Sequence, residues 1–432
     1  MDEYHSRGAA DTAVERERAA LVGLRWGEAT RDTAEESLAE LSSLAETAGA
    51  EVVVTLLQAR PRPDAATFVG RGKLQELAEA VAASGADLVV FDQDLTPSQQ
   101  RNLENELQVK VLDRTALILD IFAMHAHSKE GKAQVEMAQL RYGLTRLAGK
   151  GVELSRLGGG IGTRGPGETK LEVDRRRIKT RIRTLDRELK DLSLVRKVKR
   201  KRRERQAVST FALVGYTNAG KSSLLNALTQ AGVVVEDQLF STLDPVTRRI
   251  VLPAGREAVI TDTVGFIDHL PHQLIEAFKS TLEEVREADV LLHVIDASSP
   301  DLKRKIDATG EVLEELGASD IPTIYVLNKA DLVPAGERER LARLLHRGVF
   351  TSAVSGEGLP DLLERMSAHL SSSRVVRAVI PHHEGELLAF IYRVGQVLEI
   401  ESDEEGHHIT ADIPAGALHR LAPYADTAKD RD

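Results

Sequence analysis

Apolar and polar positions along this chain fall into two regimes of alternating strand and helix, separated by a highly charged stretch. Short apolar runs over residues 50–57, 86–92 and 109–112 read as strands, and segments with helical spacing at 34–45 and 74–83 lie between them. That alternation predicts a small α/β domain over 21–112. The pattern resumes after residue 208. Apolar runs recur at Phe211-Ala212-Leu213-Val214, Ala258-Val259-Ile260, Asp289 to Asp296 (DVLLHVID) and Ile324-Tyr325-Val326-Leu327, with helix-like stretches between them up to Leu370. The uninterrupted apolar middle of DVLLHVID predicts a parallel strand buried on both faces. The whole stretch 208–370 therefore reads as a doubly wound α/β domain. After the linker-like Ser371-Ser372-Ser373, strands over 375–380, 396–400 and 408–413 and a helix over 384–393 predict a small α+β domain spanning 374–432.

The middle, 113–207, has a different period. Ile178, Ile182, Leu185, Leu189 and Leu192 step by four, three, four and three; upstream, Met137, Leu140, Leu144 and Leu147 step by three, four and three. Two heptad seams joined by a loop predict an antiparallel helical hairpin. The loop, 148–170, holds Gly158, Gly159, Gly160, Gly162, Gly165 and Gly167. A loop of that length without structure of its own is usually functional or disordered. Residues 1–20 are charged and read as a disordered tail.

Charge sharpens this picture. The formal net charge is −10, yet 175–205 carries 16 Lys or Arg against 4 Asp or Glu, a local net of +12 that leaves −22 for the remainder. Such segregation points to a basic rod that meets an anionic surface. The rod has no aromatic residue over 175–205. Phosphate or shape recognition is therefore expected in place of base stacking. With no cysteine in the chain, disulfides and thiolate metal sites are excluded. The first twenty residues lack an apolar signal core, and no run approaches the ~20 apolar residues of a membrane helix. A cytoplasmic monomer without a membrane span is expected.

The candidate chemistry lies in the 208–370 domain. Gly215, Tyr216, Thr217, Asn218, Ala219, Gly220, Lys221 and Ser222 spell GYTNAGKS, fitting G-x-x-x-x-G-K-[ST] after a strand and before a helix that runs on from Ser223. In that context the glycines turn backbone N–H groups toward one anion, and the helix N-terminus adds partial positive charge. Lys221 would reach the β- and γ-phosphates of a nucleotide, and the Ser222 hydroxyl would ligate Mg²⁺. Asp262-Thr263-Val264-Gly265 is D-x-x-G at a strand end: Asp262 would hold Mg²⁺ through water, and the Gly265 N–H would meet the γ-phosphate. Asn328-Lys329-Ala330-Asp331 is N-K-x-D. Asp331 can accept from the ring N–H and the exocyclic amine of guanine, a pair of donors adenine lacks; such paired bonds discriminate by roughly 10⁴-fold. In Thr351-Ser352-Ala353, the Ala353 N–H would donate to the guanine carbonyl.

Four such motifs in this order resemble a translation-factor-type GTPase. Over nearly its whole length the chain further resembles the HflX family of ribosome-associated GTPases. The resemblance is carried by FVGRGKL (Phe68 to Leu74), FDQDLTPSQQRNLE (Phe91 to Glu104), RLGGGIGTRGPGETKLE (Arg156 to Glu172), the nucleotide motifs and FSTLDP (Phe240 to Pro245). It implies a factor that binds GTP and GDP with Mg²⁺ and binds the large ribosomal subunit and its RNA. It also implies separation of stalled or idle ribosomes, often under stress, with the hairpin loop reaching the ribosome's catalytic centre. Thr242 would be the switch threonine over Mg²⁺ and the γ-phosphate, acting in catalysis with Lys221 and Gly265. Many GTPases carry a glutamine after the D-x-x-G glycine to orient the attacking water. This chain has Phe266, so slow intrinsic hydrolysis stimulated by a partner is expected. Two other functions fit part of the pattern: an RNA-processing enzyme with a second active site in 21–112, and a regulatory GTP sensor for a protein partner.

Overall fold

The computed structural model describes residues 16–27, 30–147, 170–204, 208–229, 239–240, 242–268, 282–345, 348–371, 373–414, 418 and 420–424. The chain divides into two compact units: Met1–Met124 with Thr145–Thr163, and His125–Leu144 with Arg164–Asp432. The glycine-rich 148–169 lies outside the described residues, as does most of the expected tail.

In the first unit, β1 (Arg18–Arg25), α1 (Arg31–Thr47), β2 (Glu51–Ala59), α2 (Arg71–Ser84), β3 (Leu88–Phe91), α3 (Pro97–Leu107), β4 (Lys110–Asp113) and α4 (Arg114–His125) follow one another. The strands form a parallel sheet in the order β2-β1-β3-β4. β1 starts inside the segment expected as tail, and no strand is expected before residue 50. Its run Ala19 to Leu24 is buried on both faces, but two alanines and Gly23 give it a weaker strand signal than the Val- and Leu-rich run of 289–296. Local signals set the helix starts. Thr96 and Gln99 form a reciprocal capping box around Pro97 at the first helical position, and the Thr30 hydroxyl accepts the Thr33 N–H. The F-V-G-R-G-K stretch makes a turn into α2, with Phe68 at φ 66°. Val22, Phe68, Val89, Phe91 and Leu103 share the core under the sheet.

In the second unit, α5 (Lys129–Leu147, assigned to this unit up to Leu144) and α6 (Lys170–Glu204) pack through Ala133, Met137 and Leu185, with Leu140, Ile182 and Leu189 at the edges. Leu185 is 1% exposed, with Ile178, Ile182, Leu189 and Leu192 of the predicted seam partly buried around it. Arg181 grips Glu136 across the pair with two bonds of 2.6 and 2.7 Å.

The rest of the unit is built on β5 (Ser209–Val214), α7 (Lys221–Thr229), β6 (Val246–Leu252), β7 (Arg256–Asp262), β8 (Val290–Asp296), α8 (Leu302–Glu315), β9 (Thr323–Asn328), α9 (Ala335–Leu344), β10 (Val349–Phe350) and α10 (Leu359–Ser371). The sheet order is β10-β9-β8-β5-β7-β6, parallel except for β6, which pairs antiparallel with β7. β8 is buried from Val290 to Ile295, as its apolar run predicts. The carboxyl ends of β5, β7 and β9 converge on one rim, where ligands of open α/β sheets bind. A third sheet, β11 (Ser373–Ile380), β12 (Gln396–Ser402) and β13 (His407–Pro414), is antiparallel in the order β11-β13-β12. With α11 (Gly385–Val394) it closes a core of Ile380, Ile391 and Ile413. The molecule is thus α/β, with a phosphate-loop domain, an N-terminal α/β domain, a helical pair and a small α+β domain. Among the described residues no helix is long and apolar enough to cross a membrane.

Candidate nucleotide-binding site

The loop Gly215–Ser222 turns between the end of β5 and the start of α7. Gly215 has φ 144° and Gly220 φ 87°, backbone that L side chains rarely adopt. A Cβ at Gly215 would overlap the Val294 carbonyl, and one at Gly220 would overlap the Asn328 side-chain amide. Asn218 is exposed at φ 57° on the outer bend. The loop folds around Lys221, which is buried. Its ammonium donates to the Gly215 and Tyr216 carbonyls at 3.1 and 2.9 Å. Burial pulls the Lys221 pKa down to about 8, against the opposing pull of Asp262.

Beside the lysine three oxygens meet. The Ser222 hydroxyl donates to Asp262 Oδ2 over 2.6 Å and lies 2.7 Å from Thr242 Oγ1. Asp262 is fully buried, and its Oδ1 has no hydrogen-bond partner among the described residues. Burial pushes this carboxyl upward, while Lys221, Ser222 and Thr242 draw it back. An unpaired buried carboxylate oxygen next to two hydroxyls is a hard-oxygen donor set, which fits Mg²⁺. Ser222, Asp262 and Thr242, expected as metal ligands, are brought together. Ser223 follows, half-buried in the first turn of the helix.

The D-x-x-G segment crosses the mouth of this loop. A Cβ at Gly265 would stand 2.8 Å from Thr217 Cα and 3.1 Å from Lys221 Nζ, so only glycine allows the approach. The next residue stitches the loops together. Thr217 N–H donates to the Phe266 carbonyl at 2.7 Å, and Phe266 N–H to that of Gly215 at 3.1 Å. The Phe266 side chain is 1% exposed and packs inward. Tyr216 Oη accepts the Asp268 N–H, and Arg304 holds the Asp268 carboxylate through Nε at 2.7 Å.

The N-K-x-D segment and the Thr351–Ala353 turn, expected to meet the base, form the other end. Asn328 is buried at the end of β9, and its Nδ2 donates to the Ala219 carbonyl at 2.9 Å. Its Oδ1 accepts the Ala353 N–H over 3.3 Å, a long bond. The amide expected to meet a guanine carbonyl is therefore aimed at Asn328 here. Lys329 takes the left-handed conformation at φ 61° and pairs with Asp296 at 2.8 Å. Asp331 stands exposed on the following turn. Ser352 is fully buried, its N–H donating to the Glu357 carbonyl at 2.9 Å. Arg338 ties the two loops by bonding both the Ala330 carbonyl and the Glu357 carboxylate.

Two residues here have no place in the motif reading. His293 lies buried on β8, its pKa lowered to about 4 by burial and then by the charge of Lys221. Asp244 lies two residues after Thr242, and its carboxylate bonds His127 and Ser128, away from the loop. Within the sequence, His293 is one letter inside an apolar run, and although Asp244 stands in FSTLDP, nothing in that stretch tells which distant N–H groups its carboxylate meets.

Three family models match in series: a GTP-binding GTPase N-terminal region over 35–123, a GTP-binding GTPase middle region over 125–203, and a 50S ribosome-binding GTPase over 210–329. A GTPase HflX of Caldanaerobacter subterraneus subsp. tengcongensis is 49% identical over 418 residues, 96% of this chain and 95% of that one. A GTPase HflX of Escherichia coli K12 is 44% identical over 400 residues, 92% and 93% of the two chains. A crystal structure of a GTP-binding protein from Sulfolobus solfataricus in complex with GDP is 26% identical with TM-score 0.42, covering 82% of this chain and 98% of that one.

Proposed function

Because the chain belongs to the HflX family of GTPases, we propose that it is a GTP-driven factor of the large ribosomal subunit that separates stalled or idle ribosomes in the cytoplasm. The observation that carries the switch is the meeting of Ser222, Thr242 and Asp262 beside the buried Lys221. Residues Gly215 to Ser223 would enclose the phosphates, and Asn328, Lys329, Asp331, Ser352 and Ala353 the guanine. Mg²⁺, held by Ser222 and Thr242 directly and by Asp262 through water, would neutralise charge on the β- and γ-phosphates. The third phosphate then orders the segments of Thr242 and Gly265, an order–disorder switch.

The basic faces of α6 supply the affinity for ribosomal RNA phosphates, and the GTP state favours their docking. Binding energy separates the subunits, since a ligand shifts an equilibrium only by its differential affinity. Hydrolysis then releases the factor. Phe266 packs inward and offers no polar atom to a water, which supports slow hydrolysis until the ribosome completes the site. The ribosome-binding description of the family model over 210–329 and the +12 charge over 175–205 support the partner assignment.

Sedimentation of intact ribosomes with the full chain tests this reading. With GTP or a non-hydrolysable analogue, ribosomes should fall to free subunits, with the chain on the larger one; with GDP they should stay whole and the chain unbound. Binding should weaken steeply between 50 and 200 mM salt, as counterion release requires. Ribosomes that stay whole, with equal binding in GTP and GDP, would overturn it.

A further inference from the structure

Asp244 lies two residues beyond Thr242, yet its carboxylate faces the helical pair. Its Oδ2 accepts the backbone N–H groups of His127 at 3.1 Å and Ser128 at 2.7 Å, and its Oδ1 takes the Ser128 hydroxyl. Ser128 in turn starts α5: its Oγ accepts the Gly131 N–H at 2.8 Å, and its carbonyl the Lys132 N–H at 3.0 Å. A Cβ at Gly131 would overlap Asp244 Oδ1 and stand 3.2 Å from Ser128 Oγ, so the approach requires glycine. One carboxylate thus closes a helix N-terminus with three charge-assisted bonds, where the helix dipole favours a negative charge.

The same short segment is anchored at the nucleotide end. Phe240 N–H donates to Thr217 Oγ1 at 3.0 Å, and Thr242 meets Ser222 at 2.7 Å. Between Thr242 and Asp244 the backbone spans at most ~7 Å. Thr242 therefore cannot leave the phosphate side without pulling on Asp244.

We propose that Asp244 is the positioning residue through which nucleotide state sets the placement of α5 and α6. The proposal rests on the reading of Thr242 as the residue that closes over the γ-phosphate. With GTP bound, Thr242 is held in and Asp244 caps α5. With GDP the segment loosens, the cap is lost, and the start of α5, against which α6 packs, is freed. Coupling of this kind is reciprocal, so the capped α5 also favours GTP over GDP.

Hydrogen exchange over 127–134 in the full chain, with GDP and with a non-hydrolysable GTP analogue, tests this together with both nucleotide affinities. The wild type should show slower exchange with the analogue than with GDP. Asp244→Asn should erase that difference and weaken the analogue about tenfold, the scale of a lost cap, with GDP affinity unchanged. Gly131→Ala should do the same from the helix side, which keeps the test open if one variant folds poorly. Variants that keep the nucleotide-dependent exchange, or weaken both nucleotides alike, would overturn the proposal. Thr242→Ala separates the layers. If it erases the difference while Asp244→Asn does not, the coupling fails and the switch stands. If Thr242→Ala leaves the difference intact, the switch reading fails and takes the coupling with it.

Discussion

The side chain of Asn328 donates to the carbonyl of Ala219 over 2.9 Å, joining the N-K-x-D loop to the G-x-x-x-x-G-K-S loop across 109 positions of sequence. It is 1% exposed, and Gly220 leaves it room. Asn328→Ala strands a buried carbonyl, which costs about 1–3 kcal/mol. Both GTP and GDP should lose about tenfold in affinity by titration calorimetry, since the phosphate loop and the base loop are both loosened. Unchanged affinities would mean that the two loops hold their shape independently.

Lys221 gives nucleotide binding a defined pH dependence. Its folded pKa is depressed from 10.5 to about 8, so the free protein begins to lose this charge as pH rises through 8. A bound phosphate favours the protonated form and raises that pKa. Affinity is then fully present below pH 8 and declines above it, by up to about tenfold per pH unit. Lys221→Arg stays charged and should flatten the profile over that range, whatever its absolute affinity. A wild-type profile flat to pH 9.5 would contradict the buried ammonium.

Asp331 stands exposed where two donors of guanine would meet its carboxylate. Asp331→Asn should move preference toward xanthine nucleotides, whose carbonyl replaces the exocyclic amine. Competition between the two triphosphates reads this directly; selectivity of the variant equal to wild type would remove Asp331 from the base contact.

His293 makes the domain acid-sensitive. Its folded pKa is depressed to about 4 from 6.5, so on acidification the unfolded chain takes up a proton that the folded one refuses. Stability is lost as pH falls from 6.5 toward 4, at about 1.4 kcal/mol per pH unit. Denaturant titrations at pH 7.5 and 5 should show His293→Leu losing about 2 kcal/mol less than wild type between the two. Equal losses would mean the histidine is protonated in the fold.

Leu185 is the buried centre of the contact between α5 and α6. Leu185→Ala should cost about 2–5 kcal/mol. It should also raise exchange along α5 near Met137 and weaken ribosome binding, while GTP affinity stays near wild type. Loss of GTP affinity of the same size would show that the helical pair and the nucleotide site melt together.

Much of this site was legible before any coordinates. Gly215, Gly220, Lys221, Asp262, Gly265 and Asn328 form motifs whose spacing is imposed by backbone geometry, and a fixed chemistry needs them in that order. Likewise the seam of Ile182, Leu185 and Leu189 shows in the heptad steps, because helix packing has a period. β1 was not legible: its run Ala19 to Leu24 opens on two alanines and is interrupted by Gly23, weak strand formers, and its ends were set by the neighbours β2 and β3.

Sequence alone therefore determined which residues form the nucleotide motifs, that the chain is α/β, and that its basic charge is gathered over 175–205. These are properties of local spacing and of composition. Tertiary structure alone decided that Asp244 caps the helix starting after Ser128, that Phe266 turns into the core, and that His293 lies buried beside a charged lysine. Each joins positions far apart in the chain, and no local period records which distant groups a fold will press together.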